Sequence, residues 1–576
     1  MSFFRSSDDS ARTTSPDDEN YNPKALLDSE NIVALTKTRS LREQVLDDHN
    51  QTIEEEQYIS NHPKELLKRE LSVDEALSII RPHSLQNSAL QETTDLEKKS
   101  TNISTKTTID EYRDGGYGWV TVLSAWLVMF NTWGNSASSG VYLSYYISND
   151  VFPGATSKDF AYLAGSVVCC GQIFAPFALI SSSFFGLKAT MFGALVLHFI
   201  GFILASFATK LWHLFVCQGV LIGISYAFMF VPSTAVIPSW FLKKRAIALG
   251  IVLSGTGFGG LVYSLSINAL IQKTGNQRWA LRMTAVMATV LLSLAVYLIR
   301  FPKPQPREKL SWESLKGTMK AVLYNKNVWK STQVYYVSIW FLLALFGYNL
   351  IVFSYASAAT ALGLSQHQAS VLTAMVNVGQ IIGRPSMGFI ADRWVGRINH
   401  CLLLNFILII LIFAFWLNIT TFIPLIICGV LLGYLLGIAN VMNTTFIADS
   451  VIPSEFAAAW SILNVAVAPI VLFVEVIALD LRDNSRKNPF RNTQIFSGCV
   501  YFAALFFLVL FRQWKVERVL IQRRKNSDKQ LNLLIQKGEE KSEEASSLRK
   551  RIGKYDELLE QTSLGYFKRL TYPIKL

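Results

Sequence analysis

The sequence predicts an all-α membrane protein with twelve transmembrane helices in two six-helix halves and both termini cytoplasmic. Three observations lead there. Of 576 residues, 51% are hydrophobic and only 17% are charged, against roughly 25% charged in soluble domains. The charges are partitioned: residues 1–113 and 514–576 are polar, and between them lies a series of apolar runs with short charged interruptions. Each run is close to the roughly 20 residues a helix needs to cross the hydrocarbon core. The runs do not alternate polar with apolar, so they read as helices rather than barrel strands.

The first six spans are placed at 118–147, 160–184, 189–208, 212–238, 246–271 and 279–300. The last six are placed at 332–361, 367–391, 400–417, 422–447, 456–479 and 494–512. This divides the chain into a polar N-terminal tail (1–113), an N-terminal half (114–300), a cytoplasmic central loop (301–331), a C-terminal half (332–513) and a charged, helix-prone C-terminal tail (514–576). The first 113 residues lack an apolar stretch of signal-peptide type, so the first span is expected to serve as the insertion signal.

Orientation follows from the basic residues of the loops. With both termini inside, the inner loops hold Lys188, the cluster Lys243-Lys244-Arg245, Arg393, Arg397 and the bases of the central loop. The outer loops hold fewer, apart from a group at Arg482, Arg486, Lys487 and Arg491. The net charge of +12 is what inner loops facing an anionic leaflet would show, and it calls for no nucleic-acid partner. The six cysteines all fall in predicted spans, without metal-ligand spacing. Neither a metal nor a cofactor is expected. No Walker loop, H-E-x-x-H or G-x-S-x-G motif is present, so the chain is not read as an enzyme. A secondary transporter, a channel or a membrane receptor remains.

The N-terminal tail reads as largely disordered and is a candidate docking segment for a cytoplasmic regulatory partner. From Trp514 to Gln561 the C-terminal tail is helix-prone, but no heptad is sustained, so an exposed or membrane-surface helix is expected.

Three stretches carry a resemblance. Asp114-Gly115-Gly116-Tyr117-Gly118-Trp119 precedes the first span. Trp240-Phe241-Leu242-Lys243-Lys244-Arg245-Ala246 joins the fourth and fifth spans and leads to the small-residue run Ser254-Gly255-Thr256-Gly257-Phe258-Gly259-Gly260. Gly383-Arg384-Pro385-Ser386-Met387-Gly388-Phe389-Ile390-Ala391-Asp392-Arg393 closes the eighth span. Together they resemble the monocarboxylate-transporter family of the major facilitator superfamily, and the long tails resemble its fungal branch. The resemblance covers roughly 114–513. It implies the major facilitator fold, a secondary transporter with its site between the halves, and a proton symporter as the family expectation.

Each motif also has a physical reading. Asp114 is expected to cap the first helix and pair with a cytoplasmic base. Lys243, Lys244 and Arg245 are expected to anchor at the inner leaflet. The small residues of the fifth span permit close helix contact. From the superfamily loop motif, a gating role is expected for Gly388, Asp392, Arg393 and Arg397, and Asp114 is grouped with them as a gating candidate. The matching stretch of the first half, Ser183-Phe184-Phe185-Gly186-Leu187-Lys188, carries no acid, so the gate is expected to be lopsided.

Arg384 is the leading site candidate. It lies roughly 12 Å of helix from the cytoplasmic end of its span, where a charge is costly unless it meets a cavity or a partner. The resemblance implies an anion-binding role, and a guanidinium holds a carboxylate bidentately. Two positions depart from the proton-coupled pattern: Gln380 stands where the family has an Asp, and Ala137 where it has a Lys. Glu475 is the remaining deep carboxylate and the candidate for proton coupling. Asn377, Gln380, Asn131, Asn135, Tyr348, Asn349 and Asn440 join Arg384 as candidate substrate-binding residues.

The leading expectation is transport of a small organic anion, a monocarboxylate by resemblance. The alternatives are an uncoupled facilitator of a planar nutrient such as riboflavin, and a non-transporting nutrient sensor. A plasma-membrane location is expected, with the vacuolar membrane as the alternative.

Overall fold

The structure, a computed structural model, describes residues 114–574 except for Pro304, Pro306, Glu539 and Pro573. The expectations for the N-terminal tail lie outside the described residues.

The described residues form helices joined by short loops. Nine of these helices are long and apolar enough to cross a membrane, and ten if the bent second span is counted as one. The first span, in three pieces, and the more polar eighth, which carries Asn377, Gln380 and Arg384, complete the twelve. In the N-terminal half the first span is broken into Gly118–Asn131, Trp133–Ala137 and Ser139–Ser148. The second bends by 45° between Ser157–Ile173 and Ala175–Phe185, where Pro176 sits at the start of the second piece and cannot continue the hydrogen-bond ladder. The third to sixth are Leu187–Ala205, Leu211–Trp240, Arg245–Thr274 and Gln277–Leu298.

In the C-terminal half the seventh and eighth spans are Thr332–Ala361 and Gln366–Ile390. The ninth is Arg397–Trp416, and the tenth runs over Phe422–Ala448 with a break at Gly437. The eleventh is Phe456–Asp480. The twelfth begins a single helix, Arg491–Gln536. Local chemistry sets several boundaries. Thr156 and Asp159 form a capping box at the second span, and Ser365 and Gln368 form one at the eighth. The fifth span ends on Gly275 at φ 66°, a left-handed turn that glycine adopts without a Cβ clash.

These helices make the two six-helix halves that the hydrophobic runs predict. The halves meet along two seams. The fifth span packs on the eighth, and the second packs on the eleventh. At the first seam the backbones touch: a Cβ at Gly250 would lie 2.3 Å from the Arg384 carbonyl oxygen, and one at Gly388 would lie 2.2 Å from that of Ala246. No side chain fits there, so the small residues serve contact between the halves.

The C-terminal tail differs from its expectation. The helix that begins with the twelfth span has 46 residues, about 70 Å at 1.5 Å per residue, and therefore runs well beyond the hydrocarbon core. A second helix, Glu543–Leu559, folds back along it. Val516 and Leu520 bury against Tyr555, Leu558, Tyr572 and Ile574. The apolar residues lack a heptad because they serve a short hairpin rather than a coiled coil or a lipid surface.

Candidate functional site

A cavity of about 110 Å³ lies between the halves. At roughly 10–15 Å³ per water, it holds on the order of eight waters, the scale of a small solute. The N-terminal half lines it with Trp133, Gln172, Phe230 and Thr256, among others. The C-terminal half supplies Tyr348, Asn349, Asn440, Asn443, Asn464 and Arg384. Among the described lining residues Arg384 is the one charged side chain.

Arg384 is 1% exposed. Its Nη1 donates to the Leu253 carbonyl across the seam at 2.6 Å. Its Nη2 donates to Gln380 Oε1 at 2.5 Å and to Tyr348 Oη at 3.4 Å. The Tyr348 hydroxyl also donates to Gln380 Oε1, at 3.1 Å. Gln380 thus does the geometric work of an acid at that position and leaves the guanidinium charge unneutralised. The break at Gly437 makes room for the arginine shaft, since a Cβ there would lie 2.7 Å from Arg384 Cγ. Arg384 Nε has no hydrogen-bond partner among the described residues, so the group is not fully satisfied by protein atoms alone.

The structure separates the other candidates. Tyr348, Asn349 and Asn440 reach the cavity, and Gln380 acts one step behind them. Asn377 packs against Gly260 of the fifth span and is absent from the lining. Asn131 and Asn135 are turned into the N-terminal half. Tyr263 donates to Asn131 Oδ1 at 2.7 Å, and Asn135 donates to the Tyr226 hydroxyl at 3.3 Å. Neither lines the cavity. Glu475 also lies outside it, in the eleventh span, and its Oε2 has no hydrogen-bond partner among the described residues.

The cavity is closed on the side of the basic loops by an ionic network. Asp449, at the end of the tenth span, receives Arg245 Nη1 at 2.5 Å and Arg397 Nη1 at 2.6 Å. Arg397 Nε pairs with Asp392 at 2.8 Å, and its Nη2 donates to the Leu242 carbonyl at 2.8 Å. Asp392 Oδ2 accepts from the Ile247 amide at 3.0 Å. The network crosses between the halves three times, through Arg245, Leu242 and Ile247. Burial pushes the Asp392 carboxyl above its ordinary pKa, with Arg397 pulling the other way. Burial acts on Asp449 in the same direction, but Arg397, Arg245 and Lys515 together hold it below the usual carboxylate value.

Three local readings change here. Arg245 is no lipid anchor; it is 5% exposed and bonded to Asp449, while Lys243 and Lys244 are exposed. Asp114 does not cap the first helix. Its carboxylate instead accepts from the amides of Leu242, Lys243 and Lys244 at 3.0–3.2 Å, fixing the loop before the fifth span. Arg393 lies exposed, with its guanidinium 5.8 Å from the Phe389 ring, and Arg397 makes the pairs to Asp392 and Asp449. Asp449 and Gly437 are the residues that sequence reasoning missed. The available signals were an acid at a cytoplasmic helix end facing a basic loop, and a glycine inside an apolar run.

Residues 121–474 match the family profile described as Major Facilitator Superfamily. The chain belongs to the Major Facilitator Superfamily. Among superfamily relatives from Saccharomyces cerevisiae, "Uncharacterized transporter ESBP6" is 40% identical, over 80% of this chain and 69% of that protein. "Probable transporter MCH2" is 31% identical, over 72% of this chain and 85% of that protein. The solved structure of the proton:xylose symporter XylE bound to 6-bromo-6-deoxy-D-glucose is similar with a TM-score of 0.52. It is 14% identical, covering 68% of this chain and 95% of that one. That likeness speaks to the fold alone. The relatives are named as transporters, and this chain is a multi-pass membrane protein of a superfamily of solute carriers.

Proposed function

We propose that the protein carries a small organic anion, a monocarboxylate by class, by alternating access. The halves 114–300 and 332–513 rock about the cavity. The observation that supports this reading is Arg384, the one charged side chain among the described lining residues, with acceptors but no carboxylate around it. An anion entering the cavity replaces the Leu253 carbonyl as the acceptor of Nη1. Charge-assisted bonds of that kind are roughly twice as strong as neutral ones. The surrounding amides of Asn349, Asn440, Asn443 and Asn464 offer both donors and acceptors to the rest of the solute. Glu475, with one carboxylate oxygen unpartnered among the described residues, is the proton site assigned to a gradient-driven cycle. We place the activity in the plasma membrane; cell fractionation distinguishes the vacuolar membrane.

A second reading rests on the aromatic lining. Trp133, Phe230, Phe341, Tyr348 and Phe353 suit a planar solute such as riboflavin. The cavity volume favours the smaller solute, since a tricyclic ring system needs the halves to part further.

Flux into proteoliposomes separates the readings. The purified protein is offered labelled lactate or labelled riboflavin, with and without a proton gradient. Saturable lactate uptake is the expected result, and Arg384→Ala lowers it about a hundredfold, the loss of two charge-assisted hydrogen bonds. Lactate uptake that survives Arg384→Ala in a correctly inserted protein discards the anion role. Riboflavin uptake indifferent to the gradient selects the second reading. Binding without flux of either solute selects a sensor.

A further inference from the structure

The last described residues, up to Ile574, are seated on the helix ends that carry the gate. Arg512, near the cytoplasmic end of the twelfth span, is 6% exposed. Its Nη1 donates to the carbonyls of Arg569 and Leu570 at 3.1 and 2.8 Å, and its Nη2 donates to that of Tyr572 at 3.0 Å. Its Nε donates to Asn399 Oδ1 at 2.8 Å. Asn399 in turn donates to the Ile574 carbonyl at 2.6 Å. Arg512 thereby supplies donors to the carbonyls at the end of the short helix Ser563–Thr571, where a cation is favoured. Gln513 adds a bond to the Tyr566 carbonyl at 3.3 Å, and Arg569 ties the Leu558 carbonyl at 2.7 Å. A buried guanidinium is costly without acceptors, and the tail carbonyls supply most of them.

The seat is one turn or less from the gate on both helices. Three residues after Arg512, Lys515 Nζ donates to the Asp449 carbonyl at 3.1 Å. Two residues before Asn399, Arg397 holds the Asp449 and Asp392 carboxylates. The docked tail therefore fixes the spacing of the ninth and twelfth helix ends, and those ends present Arg397 and Lys515 to Asp449.

We propose that the C-terminal segment is a built-in brake: docked through Arg512 and Asn399, it stabilises the cytoplasm-closed gate, and its release favours opening to the cytoplasm. The coupling follows from the shared helix ends and does not depend on which solute is carried.

The test reads gate opening directly in the full-length protein. Spin labels are placed at Lys243→Cys and Trp394→Cys, one exposed site on each half, in a cysteine-free background reconstituted in lipid. Arg512→Gln and Asn399→Ala are each added. The expected result is a shift toward long inter-label distances, roughly tenfold in the open-to-closed ratio for Asn399→Ala, the scale of its one lost bond to the charged Arg512, and larger for Arg512→Gln, which loses several. An unchanged distance distribution in folded Asn399→Ala protein overturns the proposal and leaves the tail a structural appendage. That variant decides alone if Arg512→Gln does not fold. Since no solute enters the measurement, failure of the anion reading leaves this result intact.

Discussion

The two seams between the halves are closed by different physics. The fifth–eighth seam ends in a largely buried ionic network centred on Asp449, with Arg245 and Arg397 on its two oxygens. Among the described residues, the cytoplasmic end of the second–eleventh seam shows no such hub. It is covered instead by a helix of the central loop, Trp312–Leu323, started by Ser311 accepting from the Ser314 amide. Leu315, Met319 and Val322 of this strap pack on Ile180 and Phe184 of the second span and on Ala457 of the eleventh. The loop is tied at both ends: the Glu308 amide donates to the Ser183 carbonyl at 3.0 Å, and Asn327 donates to Glu455 at 3.1 Å. Arg307 lies over Gly186, its Nε 3.1 Å from where a Cβ would be.

The missing acid of the first half now has a physical account. In the second half an acid after the eighth span, Asp392, orients Arg397. In the first half the corresponding loop, Ser183 to Lys188, is met by backbone and side chain of the central loop. An ionic closure is directional and breaks in discrete steps. An apolar strap is non-directional and lifts as a unit. The closed state is therefore expected to depend steeply on a few charges at one seam and weakly on any single residue at the other.

The largest effect should come from Asp449→Asn. It leaves Arg245 and Arg397 largely buried without their shared carboxylate, and breaking such a pair costs about 3 kcal/mol. The closed gate should open more than a hundredfold more often, read as a longer distance between labels on Lys243→Cys and Trp394→Cys. A closed distribution in that variant would move the weight of closure to the glycine contacts. The same network predicts how pH acts. Asp449, held low by its cations, contributes above the ordinary carboxylate pKa, and its contribution is lost only as pH falls through its lower value in the folded protein. Asp392, raised by burial, takes up a proton more readily when the gate is closed; its effect favours closure at low pH and is lost as pH rises through the raised value. Neither sign gives opening on mild acidification. Distances measured from pH 7.5 down to about 5.5 should show no acid-driven opening.

How much of this was visible in the sequence depends on the distance over which each cause acts. The spans were legible because hydrophobic length is a local property, and Arg384 was legible because a charge deep in an apolar run must meet a cavity or a partner. The small residues of the fifth span were legible as a contact surface, and Gly250 against Arg384 and Gly388 against Ala246 show what they touch. Asp449 was not legible, since its partners lie 204 and 52 residues away in the chain. Asn131 and Asn135 were placed in the cavity because they lie in the first span. Their rotation about the helix axis, set by Tyr263 and Tyr226, carries no local signal. The tail hairpin was hidden for a related reason: Arg512 binds backbone carbonyls, which every sequence has.

A smaller effect is expected at the strap. Val322→Asp puts a carboxylate among Ile180, Phe184 and Met319. The strap end can lift into water, which limits the loss to about 1 kcal/mol. The ionic seam should hold the labels near their closed distance, while a label at Leu315→Cys, half-buried under the strap, becomes more accessible to a soluble quencher. Full opening in this variant would make the two seams a single cooperative lock and end the contrast between them.

The smallest effect belongs to the outer end of the same seam, where Lys158 and Asp480 pair at 2.5 Å with both side chains 56% exposed. An exposed pair gains little in high dielectric and is screened by salt. Lys158→Ala should leave the closed population within experimental error at physiological salt. The outer contact then rests on close packing, as at Gly165, where a Cβ would lie 2.4 Å from the Leu472 carbonyl oxygen. A large, salt-dependent effect of Lys158→Ala would mean that the outer seam, too, is closed by charge, and that the apolar character of the second–eleventh contact is confined to its cytoplasmic end.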